Sequence, residues 1–205
     1  MGPATVETSA RRALEALAAE WRSPLDEART ADLLAFGDLL MTWNARINLT
    51  GAHTVGELIS EHLPDAFAVA RAVGVGPKAV VDVGSGGGLP ALPLAILRPD
   101  LQLTLVEPLA KKVAFLRTAV RELRLTTVSV QCARAEALVP ATFDVAMSRA
   151  TFPPAEWLVL GRRLVRTNGR VLVLTVPGTD LPGRRTDYLE GRRTLVEVAG
   201  PECST

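Results

Sequence analysis

The chain has 205 residues, 48% of them hydrophobic and 22% charged, and a formal net charge of +1. That is apolar material for one core of ordinary size plus an extension, and the balanced charge excludes a strongly basic coat for nucleic acid while leaving room for a local basic patch. No apolar run approaches the roughly 20 residues a membrane span needs, and Arg11 and Arg12 precede no apolar signal core, so the expected compartment is the cytoplasm.

Cys132 and Cys203 stand far apart in neither metal-like nor redox-like spacing, which indicates no disulfide framework and no metal site. The basic residues are twenty arginines and three lysines, and two of the lysines, Lys111 and Lys112, are adjacent.

From the N-terminus, Ala13, Leu14, Leu17 and Trp21 have helical spacing and predict a helix over residues 9–22, ending before Pro24. A second helix is expected with Thr30 as its N-cap, carrying Leu33, Leu34, Phe36, Gly37, Leu40 and Trp43 toward Asn44. The stretch from Trp43 to Gly51 then breaks the helix with Asn and Gly. A third helix opens on a capping box, Thr54 with Glu57, and runs through Leu58, Ile59, Leu63, Phe67 and Val69, with a kink expected at Pro64. Residues 1–76 are thus predicted to form a helical extension, closed by Gly74-Val75-Gly76-Pro77.

From Ala79 strands and helices alternate. Strands are predicted at 79–83, 102–106, 127–131, 143–147 and 170–176, and helices at 89–97, 108–124 and 154–165. This is the pattern of an α/β fold with a doubly wound, mostly parallel sheet, here over residues 77–205. Residues 177–185, rich in Pro, Gly and Arg, are expected to be a surface loop, and a last strand at 194–198 is expected at the sheet edge.

The strand Val80-Val81-Asp82-Val83 runs into Gly84-Ser85-Gly86-Gly87-Gly88-Leu89, a nucleotide-cradling turn whose glycines allow positive φ and close approach of backbone to ligand. A P-loop is excluded, because Leu89-Pro90 stands where Gly-Lys-Ser or Gly-Lys-Thr would be. A dinucleotide fingerprint is imperfect, since its third glycine falls on Leu89. What remains is Asp-x-Gly-x-Gly-x-Gly, the form associated with S-adenosylmethionine-dependent methyltransferases. Glu107, at the end of the second strand, suits the ribose diol of either cofactor, or simply caps the next helix. Arg134-Ala135-Glu136 sits after the third strand, where methyltransferases surround the adenine, and favours methyl transfer. Arg149 ends the fourth strand, which in this fold neighbours the first, so it should face the glycine turn across the ligand crevice.

Together, Trp43-Asn44-Ala45-Arg46-Ile47-Asn48-Leu49-Thr50, Glu61-His62-Leu63-Pro64-Asp65, the glycine turn with Leu89-Pro90, Arg98-Pro99, Lys111-Lys112 with Phe115-Leu116-Arg117, Arg134-Ala135-Glu136 and Ser148-Arg149-Ala150 resemble the GidB family over roughly residues 33–175. The resemblance implies a Rossmann-like class I methyltransferase behind an N-terminal helical extension, using S-adenosyl-L-methionine to methylate ring nitrogen 7 of a guanine in 16S ribosomal RNA of the small subunit. It implies a cofactor site at Gly84, Ser85, Gly86, Gly88, Leu89, Glu107, Ala135, Glu136 and Arg149. It also implies substrate positioning by Arg149, Lys111 and Arg134, and RNA contact by Lys111, Lys112, Arg134 and His62. His62 and Asp65, three apart, are spaced for a hydrogen bond on one helical face. Trp43 and Asn48 are expected as packing and turn residues.

The sequence offers no dimer signal, and a monomer is expected. Two departures from the family bear on RNA binding, Lys112 where an arginine is common and Thr175 where a lysine is common. The short tail, 177–205, predicts an incomplete or rearranged sheet edge. The alternatives are a small-molecule methyltransferase on the same fold and a catalytically silent RNA-binding or assembly protein.

Overall fold

The computed structural model describes residues 3–201, so Cys203 lies outside the described residues. Four helices come first: α1 (Pro3–Glu20), α2 (Glu27–Ile47), α3 (Val55–Glu61) and α4 (Leu63–Val73). Helix α2 starts one turn before the expected Thr30. Its cap is Asp26, whose carboxylate accepts from the amide of Arg29 at 2.8 Å and satisfies one of the orphan donors of the first turn. Thr30 is buried, and its hydroxyl donates to the Asp26 carbonyl. Asn48 closes α2 in the left-handed region at φ +48, which Asn tolerates better than most residues.

The capping box at α3 forms as expected. Thr54 Oγ1 accepts from the amide of Glu57, and Glu57 Oε2 accepts from the amide of His53. Pro64 does not kink a continuous helix. The helix stops at His62 (φ −123) and restarts as α4 with Pro64 in the first turn, where a missing N–H costs no intrahelical bond.

The sheet has seven strands: β1 (Ala79–Val83), β2 (Gln102–Val106), β3 (Val128–Gln131), β4 (Phe143–Arg149), β5 (Val165–Thr175), β6 (Arg184–Tyr188) and β7 (Arg193–Ala199). Their order is β3-β2-β1-β4-β5-β7-β6, with β1 to β5 paired parallel and β7 running antiparallel between β5 and β6. Three helices connect them: α5 (Ala91–Leu97), α6 (Ala110–Glu122) and α7 (Pro154–Leu164). The sheet is complete despite the short tail. What is absent, among the described residues, is a helix between β5 and β6. Two expectations are therefore corrected. Arg184 and Arg185 belong to a strand rather than a loop, and the strand at 193–199 is interior because β6 pairs along its far side and forms the edge.

Strand side chains alternate between two cores. On one face Val80, Val145 and Met147 join the cluster that holds Phe36, Leu58, Phe67, Leu92 and Phe115, so the four N-terminal helices share a core with α5 and α6. On the other face Val81, Val83 and Ala146 pack with Trp157 and Leu158 of α7. Trp157 is 1% exposed and donates its indole N–H to the Leu172 carbonyl at 3.0 Å, which fixes α7 on β5. Trp43 of α2 meets Phe115 of α6 at a ring-centroid distance of 5.7 Å, and so joins extension to sheet domain as expected of a packing residue.

Candidate active site

The crevice lies at the carboxyl ends of β1 and β4. These neighbouring strands send their crossovers to opposite faces, and the chain between them opens a gap. Leaving β1, the amides of Gly84 and Ser85 both donate to the Val106 carbonyl, and the Gly88 amide donates back to Ser85. Gly84, Gly86 and Gly88 have φ of +77, +54 and +75. Added Cβ atoms show what each glycine makes room for. At Gly84 the atom would collide with Thr151, at Gly88 with Leu92, and at Gly87 it would lie 2.8 Å from the Leu49 carbonyl. These three are required by the protein's own packing. Gly86 alone among these glycines opens outward, with nothing nearer to its Cβ position than Gly84 O at 3.8 Å and Lys112 Nζ at 4.0 Å.

Glu107 is 4% exposed, and its two oxygens accept from the amides of Gly86 and Leu109, each at 2.9 Å. The carboxylate thus ties the glycine turn to the start of α6. Each oxygen retains a further acceptor site, so the same group can still hold a diol. Asp82 is 2% exposed, and its Oδ2 has no hydrogen-bond partner. Burial pushes this carboxyl up to about 7, with Ser85 and Arg149 pulling it down and Glu107 pushing it further up. Once ionised, this buried oxygen has no donor within the chain.

Ala135 and Glu136 form a single 3-10 turn, Ala135–Ala137, with Ala135 buried and Glu136 exposed. Arg163 of α7 holds that turn through carbonyls of Ala135, Glu136 and Leu138. Arg134 precedes the turn and is exposed, as is Lys111 in the first turn of α6. Lys112 is half-buried with its ammonium near Gly86, which puts it with the glycine turn. Leu89 is buried behind that turn.

Arg149 shares the parity of Val145 and Met147, so its side chain points to the face covered by the N-terminal helices. There its Nη1 donates to Asp65 Oδ2 at 2.7 Å and lies 3.2 Å from His62 Nδ1. Asp65 is fully buried. Its other oxygen accepts from the Tyr188 hydroxyl at 2.7 Å, and Arg193 Nη1 is 3.6 Å from Oδ2. His62 and Asp65 therefore meet at Arg149, across the helix break. His62 Nε2 faces the Thr50 hydroxyl at 3.3 Å, and burial together with the Arg149 charge lowers the His62 pKa, favouring the neutral ring. The structure thus puts His62 inside this network rather than at an open surface.

Between β4, β5 and α7 is a cavity of about 260 Å³, lined by Arg149, Phe152, Pro154, Trp157, Thr175 and Arg193 among others. Thr151 joins it to the glycine turn, its hydroxyl donating toward the carbonyls of Gly84 (3.4 Å) and Arg149 (3.2 Å).

Several residues here escape sequence reasoning. Thr151, Arg163 and Arg193 belong to no motif. Asn44 lies within the Trp43–Thr50 stretch, and its task depends on the folded loop. Its side chain accepts from the amides of Leu49 and Thr50 and donates to the carbonyls of Thr50 and Ala52, fixing the loop whose Leu49 carbonyl lies against Gly87.

The residues fit an S-adenosylmethionine group. A buried carboxylate oxygen awaits a donor, an acidic pair of acceptor sites stands at Glu107, and the backbone is open at Gly86 alone. The fold is that of the Rossmann-like class I methyltransferases. An S-adenosylmethionine-dependent methyltransferase from Aquifex aeolicus superposes with a TM-score of 0.55 over 70% of this chain and 92% of its own, at 16% identity. The family model described as rRNA small subunit methyltransferase G matches residues 29–179, and the chain belongs to that family, GidB. A ribosomal RNA small subunit methyltransferase G of Xanthomonas axonopodis pv. citri is 39% identical over 181 residues, covering 87% of this chain and 84% of its own. One from Halorhodospira halophila is 40% identical, covering 80% and 78%.

Proposed function

We propose that this protein transfers the methyl group of S-adenosyl-L-methionine to ring nitrogen 7 of a guanine in 16S ribosomal RNA. The observation that carries the reading is the meeting of two half-sites in a member of this family. The glycine turn with Asp82 and Glu107 lies on one side of the β1/β4 crevice, and the cavity beyond Arg149 on the other. Asp82, Gly86, Glu107, Ala135 and Glu136 are the residues that hold the cofactor, Gly84, Ser85, Gly88 and Leu89 shape the turn behind them, and Arg149, expected in the same set, is assigned to the acceptor side, where it meets Asp65. When bound, that cofactor supplies an electrophilic methyl on a sulfonium.

Ring nitrogen 7 has a free lone pair and no proton to lose, so no general base is required of the chain. Its task is alignment in a dry pocket, worth several orders of magnitude in rate when the reacting atoms are held at near-attack distance. Phe152, Pro154 and Trp157 give the cavity an apolar wall. The product base is cationic, so a guanidinium aimed at the reacting nitrogen opposes the reaction. Arg149, turned aside onto Asp65, is placed instead to hold the nucleotide elsewhere. Lys111, Lys112 and Arg134 surround the entrance, where phosphate contact offsets the cost of two lysines at a helix N-terminus. We infer that the acting species is a monomer in the cytoplasm; among the described residues no helix is long and apolar enough to cross a membrane.

Transfer of label from S-adenosyl-[methyl-³H]methionine into purified small ribosomal subunits tests the reading, with cleavage at 7-methylguanosine locating the product. Label appearing instead in a metabolite extract would favour a small-molecule acceptor, and no cofactor binding at millimolar concentration would remove the enzyme altogether.

A further inference from the structure

We propose that Asp65 is a positioning residue for methyl transfer, a buried carboxylate on α4 that fixes the guanidiniums of Arg149 and Arg193, two residues that line the acceptor cavity. The inference rests on the proposed acceptor site for its catalytic consequence. The clamp itself stands on geometry.

Asp65 is 0% exposed although it belongs to a helix of the extension, and burying a carboxylate is costly unless its acceptor sites are filled. Two strands supply hydrogen bonds and a third supplies a nearby cation. Arg149 of β4 donates to Oδ2 at 2.7 Å, Tyr188 of β6 donates to Oδ1 at 2.7 Å, and Arg193 of β7 has Nη1 3.6 Å from Oδ2. Arg149 and Arg193 both line the cavity. Two like charges beside one cavity repel, and a single carboxylate between them is what holds both in fixed directions. Two guanidiniums share one carboxylate, so Asp65 orients both without neutralising both. Arg149 cannot swing freely toward the cavity. Its reach is set by a residue 84 positions earlier in the chain.

A merely structural carboxylate would show itself in stability alone. A positioning one shows itself in kcat while cofactor affinity stays put. Asp65→Asn keeps the shape and an acceptor for Tyr188 but removes the charge. The expected result is a folded protein, by circular dichroism, whose kcat on small subunits falls at least 10-fold while its Kd for S-adenosylmethionine changes less than 3-fold. Arginine side-chain ¹⁵N spectra supply a readout independent of activity. In the wild-type chain the guanidiniums of Arg149 and Arg193 should show slowed rotation, assigned by Arg149→Lys and Arg193→Lys. In Asp65→Asn the slowing should disappear. In Tyr188→Phe, which removes a donor and no charge, it should persist.

A folded Asp65→Asn protein with wild-type kcat overturns the proposal. So does rapid rotation of both guanidiniums in the wild-type chain, whether or not any variant folds. If wild-type protein labels no small-subunit RNA, the acceptor reading has failed, and the spectra still decide the clamp.

Discussion

Asp65 and Arg149 are separated by 84 residues and joined at 2.7 Å, one from a helix of the N-terminal extension and the other from the end of a central strand. Arg149 thus has two dependents, the acceptor cavity on one side and a buried carboxylate on the other. Arg149→Ala should abolish methylation and also leave the buried Asp65 with the longer Arg193 contact as its ion pair, a loss of about 3 kcal/mol. Arg149→Lys keeps the charge but not the planar fork, and should recover stability better than activity. Chemical denaturation alongside single-turnover methylation separates the two effects. Full activity in Arg149→Ala would remove the residue from the site.

Asp82 gives a pH signature of known sign. Its carboxyl titrates near 7 when folded, well above the ordinary carboxylate range, because burial favours the neutral form. Between those two values the folded chain keeps a proton that the unfolded chain has lost, so this residue's contribution to stability is full at acid pH and declines as pH rises through about 7. The difference in unfolding free energy between wild type and Asp82→Asn should therefore shrink with rising pH across that window. Cofactor that brings a donor to Oδ2 should drive the proton off. Calorimetric titration near pH 6.5 in buffers of different ionisation enthalpy should show proton release in wild type and none in Asp82→Asn.

Gly86 and Gly88 should respond in opposite ways to alanine. A Cβ on Gly88 meets Leu92 and lies 3.2 Å from Leu116, so Gly88→Ala should lower Tm strongly. Gly86 has room, and Gly86→Ala should cost only the left-handed backbone penalty of about 1–2 kcal/mol. Because its added methyl stands on the open side of the turn, Gly86→Ala should nonetheless weaken cofactor binding at least 10-fold. Thermal melts and calorimetry on both variants check this. Wild-type cofactor affinity in Gly86→Ala would show that the ligand approaches elsewhere.

Asn44 holds its loop with all its hydrogen-bonding capacity. Asn44→Ala leaves two amides and two carbonyls of that loop to find other partners, at about 1–3 kcal/mol in total for a part-buried site. Since Leu49 and Thr50 are in the loop, the loss should spread to the glycine turn and to His62. Hydrogen exchange should quicken at both places in Asn44→Ala. Protection unchanged at Gly87 and its neighbours would sever the extension from the cofactor site.

The central fold was legible because the inner parallel strands β1 and β4 are buried on both faces and therefore stand out as apolar runs. β1 and β2 fall on the predicted residues, 79–83 and 102–106. β6 was not legible. Of Arg184-Arg185-Thr186-Asp187-Tyr188 only Tyr188 is buried, since an edge strand faces water along most of its length and needs no apolar alternation. Missing β6 also put β7 at the edge. In the site, the glycine turn and Glu107 were visible because their chemistry is local and spaced by a strand and a turn. The Asp65 network was not. Its members come from an interrupted helix and three strands, and the spacing of His62 and Asp65 pointed to a contact with each other, whereas register and strand parity brought both to Arg149.

The antiparallel addition of β7 and β6 also sets an order of events during synthesis. Asp65 leaves the ribosome 123 residues before Tyr188, about ten seconds at typical elongation rates, and Arg193 follows later still. Until then the carboxylate lacks two of its partners, and Arg149, once made, has nothing fixed to lean on. A nascent chain can fold its glycine turn early, but it cannot finish its acceptor wall before the last strand arrives. Truncated products should accordingly compete for cofactor without modifying any ribosome.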